Sequence, residues 1–136
     1  MKLPGSEEIV DDLAFFDDWE QRYQYIIDLG KSLPPMDEAD KTEDRLVRGC
    51  QSSVWLKAHR ENGVLHFAVD SDAIIVNGLL ALVMAAYNNK TPEQILTFDI
   101  DDYFQQLDLE RHITPTRGNG LRAIVSKIQD IARESR

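Results

Sequence analysis

The chain has 136 residues, 43% of them apolar, enough for one compact domain with a buried core and too few for two. A single cysteine excludes an intramolecular disulfide and any multi-cysteine zinc or iron–sulfur site, and it fits a reducing compartment. Against 15 basic residues stand 24 acidic ones, a net charge of −9 that argues against holding nucleic acid or an anionic membrane through bulk charge. The whole excess lies in residues 1–44, with 13 acidic and 4 basic side chains; residues 45–136 carry 11 of each. That stretch reads either as a solvated helical face or as a docking surface for a cationic partner.

Met1 to Gly5 runs directly into Ser6-Glu7-Glu8 with no apolar segment, so no secretory signal is expected. The longest apolar stretch, 73–87, is 15 residues long, short of the ~20 needed to span a bilayer. It reads as a buried core helix, and the cytoplasm is the expected location. No repeat or linker divides the chain, so residues 1–136 are expected to form one domain.

Ser6 is placed to cap a first helix, with Glu7 and Glu8 at its positive end. Asp18 with Gln21 makes a capping-box pattern for a second helix, in which Trp19, Tyr23, Ile26 and Ile27 share one face. Gly30 and Pro34-Pro35 supply its stop. The period then changes. Asn62-Gly63 between two alternating runs predicts a hairpin with a two-residue turn, pairing 61 with 64 and so on to 56 with 69. One face carries Val54, Leu56 and Ala58 beside Leu65, Phe67 and Val69; the other carries Trp55, Lys57 and His59 beside Val64, His66 and Ala68. Leu46 and Val47 would add a third strand. Ser71 and Asp72 are expected to cap a helix over 73–88, and Thr91-Pro92-Glu93-Gln94 opens a short one. Asp101 would cap another short turn around Tyr103 and Phe104. After Thr114-Pro115, Leu121, Ile124, Val125, Ile128, Ile131 and Ala132 form the stripe of a last helix. The expected fold is α+β: a small antiparallel three-stranded sheet covered on one face by helices.

The chemistry centres on Arg48-Gly49-Cys50-Gln51-Ser52-Ser53. Glycine before the thiol allows a sharp turn, which would put the sulfur on a loop tip at the sheet edge, and Arg48 would favour the thiolate. A buried, inert cysteine fits the same spacing. His59 opposite His66 has the geometry of half a metal site but lacks further ligands, so no metal is expected. Arg117-Gly118-Asn119-Gly120 lacks the lysine and setting of a phosphate loop, and no Gly-x-Ser-x-Gly elbow exists. Asp70-Ser71-Asp72 lacks the glycine and distal glutamate of a calcium loop.

Gly49-Cys50-Gln51-Ser52-Ser53-Val54-Trp55 resembles the SufE family of sulfur-acceptor proteins. Three further blocks resemble it in order. They are Trp19-Glu20 through Tyr25-Ile26-Ile27-Asp28-Leu29-Gly30 to Leu33-Pro34, then Asp70-Ser71-Asp72-Ala73 with Gly78-Leu79, and lastly His112-Ile113-Thr114-Pro115-Thr116-Arg117 with Gly120-Leu121. Gln51-Ser52 and Thr114-Pro115 look closer to the SufE type than to the related CsdE type. The resemblance implies a fold shared with IscU-like scaffolds. It also implies a carrier rather than a stand-alone enzyme. Cys50 would take sulfur as a persulfide from a SufS-like or CsdA-like cysteine desulfurase, stimulate it, and pass the sulfur to a SufBCD-like scaffold for iron–sulfur cluster assembly. Pyridoxal phosphate would belong to the desulfurase, and no cofactor is expected here. A weak homodimer is compatible with this reading; nucleic acid and membrane are not expected partners.

Gly49, Gln51 and Ser52 would support Cys50. Arg117 would stabilise anionic sulfur or pair with a partner carboxylate, unless it only bonds Asp70, Asp72 or a loop carbonyl. Asp72 would brace the Cys50 loop or merely cap its helix. Cys50 is expected to be partly tucked away in the free protein and to swing out on docking. Two other functions fit the residues: a single-cysteine thiol enzyme, with His112 as the available base, or an acidic interaction module with an inert cysteine.

Overall fold

The structure, a computed structural model, describes residues 4–50 and 52–136. Those residues form six helices and a two-stranded antiparallel sheet, an α+β arrangement. In order these are α1 (Ser6–Ala14), α2 (Trp19–Lys31), β1 (Val54–Glu61), β2 (Val64–Ser71), α3 (Ile74–Tyr87), α4 (Pro92–Thr97), α5 (Ile100–Gln106) and α6 (Pro115–Glu134).

The centre is α3, a helix apolar almost all round because it is packed on nearly every side. Leu79 to Met84 lie at 0–3% exposure, and α1, α2, α4, α6 and β2 all touch α3. Its closest neighbour is α2. A Cβ on Gly30 would stand 2.6 Å from the Gly78 nitrogen, and one on Gly78 would stand 2.6 Å from the Ile26 carbonyl oxygen. Gly30 therefore does not stop α2. It lies inside the helix, where its missing side chain lets two backbones touch; the stop comes at Ser32, before Pro34-Pro35.

Asn62 and Gly63 both take positive φ, 54° and 78°, as a tight hairpin turn requires, and the register runs from Glu61 opposite Val64 to Val54 opposite Ser71. Val54, Leu56, Leu65, Phe67 and Val69 are buried under the helices. Ala58 shares their face yet is exposed, since the hairpin end projects past that cover. The third strand does not form. Leu46 makes one isolated bridge to Trp55, with the Val47 N–H donating to the Val54 carbonyl at 2.9 Å. A 3₁₀ turn ends at Arg45 and another turn begins at Arg48, leaving too little extended chain for a ladder.

The other sheet face is also partly covered. Lys41 pairs with Asp70 at 3.3 Å and lies over the Trp55 ring, while Asp40 pairs with Lys57 at 3.3 Å and Arg45 at 3.7 Å. Part of the acidic excess of residues 1–44 is thus bound to basic groups rather than laid out on a free face. His66 meets Asn89 at 2.5 Å, and His59 faces Glu61 at 3.5 Å.

The helix starts follow simple capping with some shifts of position. Asp18 and Thr91 cap as expected, and Thr91 with Gln94 completes a capping box. Gly5, not Ser6, precedes α1, and Asp99, not Asp101, caps α5 by accepting from the Asp102 N–H. Ala73 precedes α3, so neither Ser71 nor Asp72 is its N-cap; the Ser71 hydroxyl instead accepts from the Ala73 N–H at 3.2 Å. Among the described residues, no helix is long and apolar enough to cross a membrane.

The glycine contact gives a stability test. Gly78→Ala forces a methyl into the α2 backbone and is expected to destabilise the fold by about 1–3 kcal/mol, read as a lower urea midpoint. An unchanged midpoint would contradict the backbone contact.

Candidate functional site

The site is built where a short loop meets the start of a long helix. After the Leu46 bridge the chain turns at Arg48-Gly49, and Gly49 takes φ +93°, a conformation that side chains disfavour. The space is also tight: a Cβ there would lie 3.2 Å from the Ala123 Cβ of α6. This turn aims Cys50 inward. The thiol lies 3.6 Å from the Gly120 carbonyl, to which it donates. Cys50 is half-buried, not displayed on a loop tip.

Gly120 is the matching feature on α6. Its missing side chain leaves a place that the loop fills, since a Cβ there would be 3.5 Å from the Cys50 Cα and 3.6 Å from its sulfur. Thr114 caps the helix by accepting from the Arg117 N–H at 3.2 Å, and Pro115 follows at the first helical position. These residues fix where the first two turns begin, and so where Arg117 and Gly120 stand.

Beside the sulfur lies a cavity of about 30 Å³, large enough for something of water size. Val76, Leu79 and Leu80 of α3 line it with Leu121 and Ile124 of α6, and Ser52, Thr116 and Arg117 are also in the lining. Burial pushes the Cys50 thiol above its ordinary pKa, and desolvation is the only cause. Arg48 is exposed and leaves no mark on that balance, so the expected thiolate-favouring role of Arg48 is not found. Burial thus favours the neutral thiol over the thiolate.

Of the residues expected around Cys50, Gly49 forms the turn, while Ser52 and Arg117 share its cavity. Gln51 lies outside the described residues. Asp72 stands apart: its side chain is exposed, and its backbone N–H reaches the Ser53 carbonyl at 3.4 Å. It braces the end of the loop through its backbone alone. Arg117 does not bond Asp70, whose carboxylate is taken by Lys41 and by the Met36 and Ser71 N–H groups. His112 does not serve the thiol. Its ring stacks on Trp19 at 3.7 Å between centroids, and its Nε2 faces Asp108 at 3.6 Å.

Sequence reasoning missed Gly120 and the apolar wall. The wall residues are indistinguishable in sequence from ordinary core. Gly118 and Gly120 in the opening turns of an otherwise regular helix were the available signal, because glycine weakens a helix and is kept where something approaches closely.

Comparisons with known proteins show the family and the fold. A family model described as "Fe-S metabolism associated domain", SufE, matches residues 7–132. An uncharacterized SufE-like protein from Rhizobium etli is 42% identical over 135 residues, covering 96% of this chain and 91% of its own. A second, from Rhizobium meliloti, is 42% identical over 134 residues, covering 96% of both chains. The solution structure of a hypothetical protein from Thermus thermophilus shares the fold with a TM-score of 0.79 at 22% identity, over 99% of this chain and 98% of that one. With the family match running through α1 to α6 and enclosing the Cys50 loop, the chain belongs to the SufE family of Fe–S metabolism associated proteins.

Proposed function

We propose that this chain is a persulfide carrier that accepts sulfur on Cys50 from a pyridoxal-phosphate cysteine desulfurase, SufS-like or CsdA-like, and stimulates that enzyme. The carrying observation is the placement of the one thiol: its sulfur faces the Gly120 carbonyl at the edge of an apolar cavity that also receives Arg117.

The step is a thiol exchange at sulfur. The Cys50 thiolate attacks the outer sulfur of the desulfurase persulfide, a new S–S bond forms on Cys50, and the old S–S bond breaks. The electron pair leaves with the desulfurase cysteine as its thiolate, which takes up a proton equivalent to the one Cys50 gave up. No net oxidation occurs, and no cofactor of this chain is needed. Passing sulfur to a SufBCD-like scaffold is the same exchange with Cys50 as the leaving group.

The environment suits storage better than attack. A protonated thiol in an apolar pocket is a poor nucleophile, and a persulfide there is shielded from reductants. The cavity has room for the added sulfur atom, and Arg117 is among the residues that line it. Attack then requires the Cys50 loop to leave α6 when the desulfurase docks, with Gly49 as the pivot. The work is that of a cytoplasmic carrier rather than a stand-alone enzyme.

Incubated with an active cysteine desulfurase, pyridoxal phosphate and cysteine, the protein should gain about 32 Da by intact mass, a gain that dithiothreitol removes. The Cys50→Ser variant should stay at its original mass while remaining folded. Uptake that survives Cys50→Ser, or no uptake from either desulfurase type by fully reduced protein, would overturn the reading. Gly49→Ala should cost about 1–2 kcal/mol of stability through its positive φ and speed sulfur uptake, because straining the turn that holds Cys50 inward favours the open loop in which the thiol attacks. Uptake at the wild-type rate would show that the turn plays no part.

A further inference from the structure

The wall beside Cys50 is only as firm as the start of α6, and α6 is reached through a short irregular segment. Asp108 takes φ +57° there, Leu107 and Leu109 are each 1% exposed, and the N–H groups of His112 and Ile113 both donate to the Leu109 carbonyl. Two residues beyond His112, Thr114 caps α6. The segment is therefore pinned from below by two leucines. On its outer side a different set of contacts holds it.

Those contacts come from α2, far away in sequence. The Trp19 ring stacks on the His112 imidazole with centroids 3.7 Å apart and planes 19° from parallel. The Tyr23 hydroxyl donates to the His112 carbonyl oxygen. Arg22 lies 5.4 Å over the Trp19 ring, and its Nε donates to the Phe16 carbonyl, so the tryptophan is itself held. His112 Nε2 also faces Asp108. One turn of α2 thus grips both the side chain and the backbone of a single residue in the approach to α6.

We infer that Trp19, Tyr23 and His112 form a clamp that positions the first turns of α6 over Cys50, so that these three residues, none of which touches the sulfur, govern how closed its pocket is. They are positioning residues. A stack of this kind stabilises its partners beyond the area it buries, enough to change how often a short segment opens without unfolding the domain. Opening at His112 moves Thr114, the cap goes with it, and Arg117 and Gly120 lose their fixed distance from the thiol.

The inference rests on Cys50 being the reacting group, but its test reads that thiol directly on the isolated protein and needs no desulfurase. The rate of Cys50 alkylation by iodoacetamide is measured at a temperature well below each variant's Tm. His112→Ala should alkylate about fivefold faster than wild type, since local opening controls access, and Trp19→Ala should do the same. His112→Phe keeps an aromatic face against Trp19 and should return the rate to within about twofold of wild type. Should the alanine variants fail to fold, Tyr23→Phe deletes only the hydroxyl and should still give about a twofold rise. A lowered Tm with an unchanged alkylation rate would overturn the clamp and leave the stack purely structural. So would a His112→Phe variant as fast as His112→Ala, or a Tyr23→Phe variant indistinguishable from wild type.

Discussion

The thiol side of the molecule depends on one close approach, that of the Cys50 loop to the opening turns of α6. Two glycines make it possible. Gly49 supplies the positive φ that turns the sulfur inward, and Gly120 supplies the space in which the loop lies. The 3.6 Å contact between thiol and Gly120 carbonyl is the result. The same device recurs deeper in the fold, where Gly30 and Gly78 bring α2 against α3. Since α3 forms one wall of the cavity and α2 holds the approach to α6, the two glycine contacts set the frame from opposite sides.

This frame resolves a tension in the proposed chemistry. Sulfur exchange requires a thiolate with access, whereas the pocket half-buries the thiol and disfavours its thiolate. Both conditions can hold in turn if one state stores and another reacts. The loop is anchored at each end, by the Leu46–Trp55 bridge before it and by the Asp72 N–H on the Ser53 carbonyl after it. A rearrangement can therefore be confined to the few residues around Cys50. A partner that draws the loop out would expose and ionise the thiol together.

Much of the fold was legible because local rules determined it. Asn62-Gly63 set both the turn and the register, and the Thr91 capping box and the apolar stripe of α6 appear as expected. The departures share a cause, which is that tertiary contact decided them. Gly30 reads as a helix stop until Gly78 is placed against it, and Leu46-Val47 reads as a strand until the turns on either side are seen to leave it one bridge. At the site, Cys50, Gly49, Ser52 and Arg117 could be named from their chain neighbourhood or from the family resemblance. The protonating effect of burial could not, because it depends on α3 and α6 closing over the sulfur. Nor could the Trp19–His112 stack, since nothing in either segment points to the other.

Storage of the one thiol in a neutral, sheltered form by the free protein is open to a direct test. Thiolate absorbance near 240 nm, followed against pH on the isolated protein with Cys50→Ser as the blank for tyrosine, tests it directly. The account predicts a midpoint above that of an exposed cysteine, about 8.5, and almost no thiolate at neutral pH; on unfolding in urea the midpoint should fall to the ordinary value. A native midpoint at or below the ordinary value would contradict the account, because the pocket would then be activating Cys50 rather than storing it.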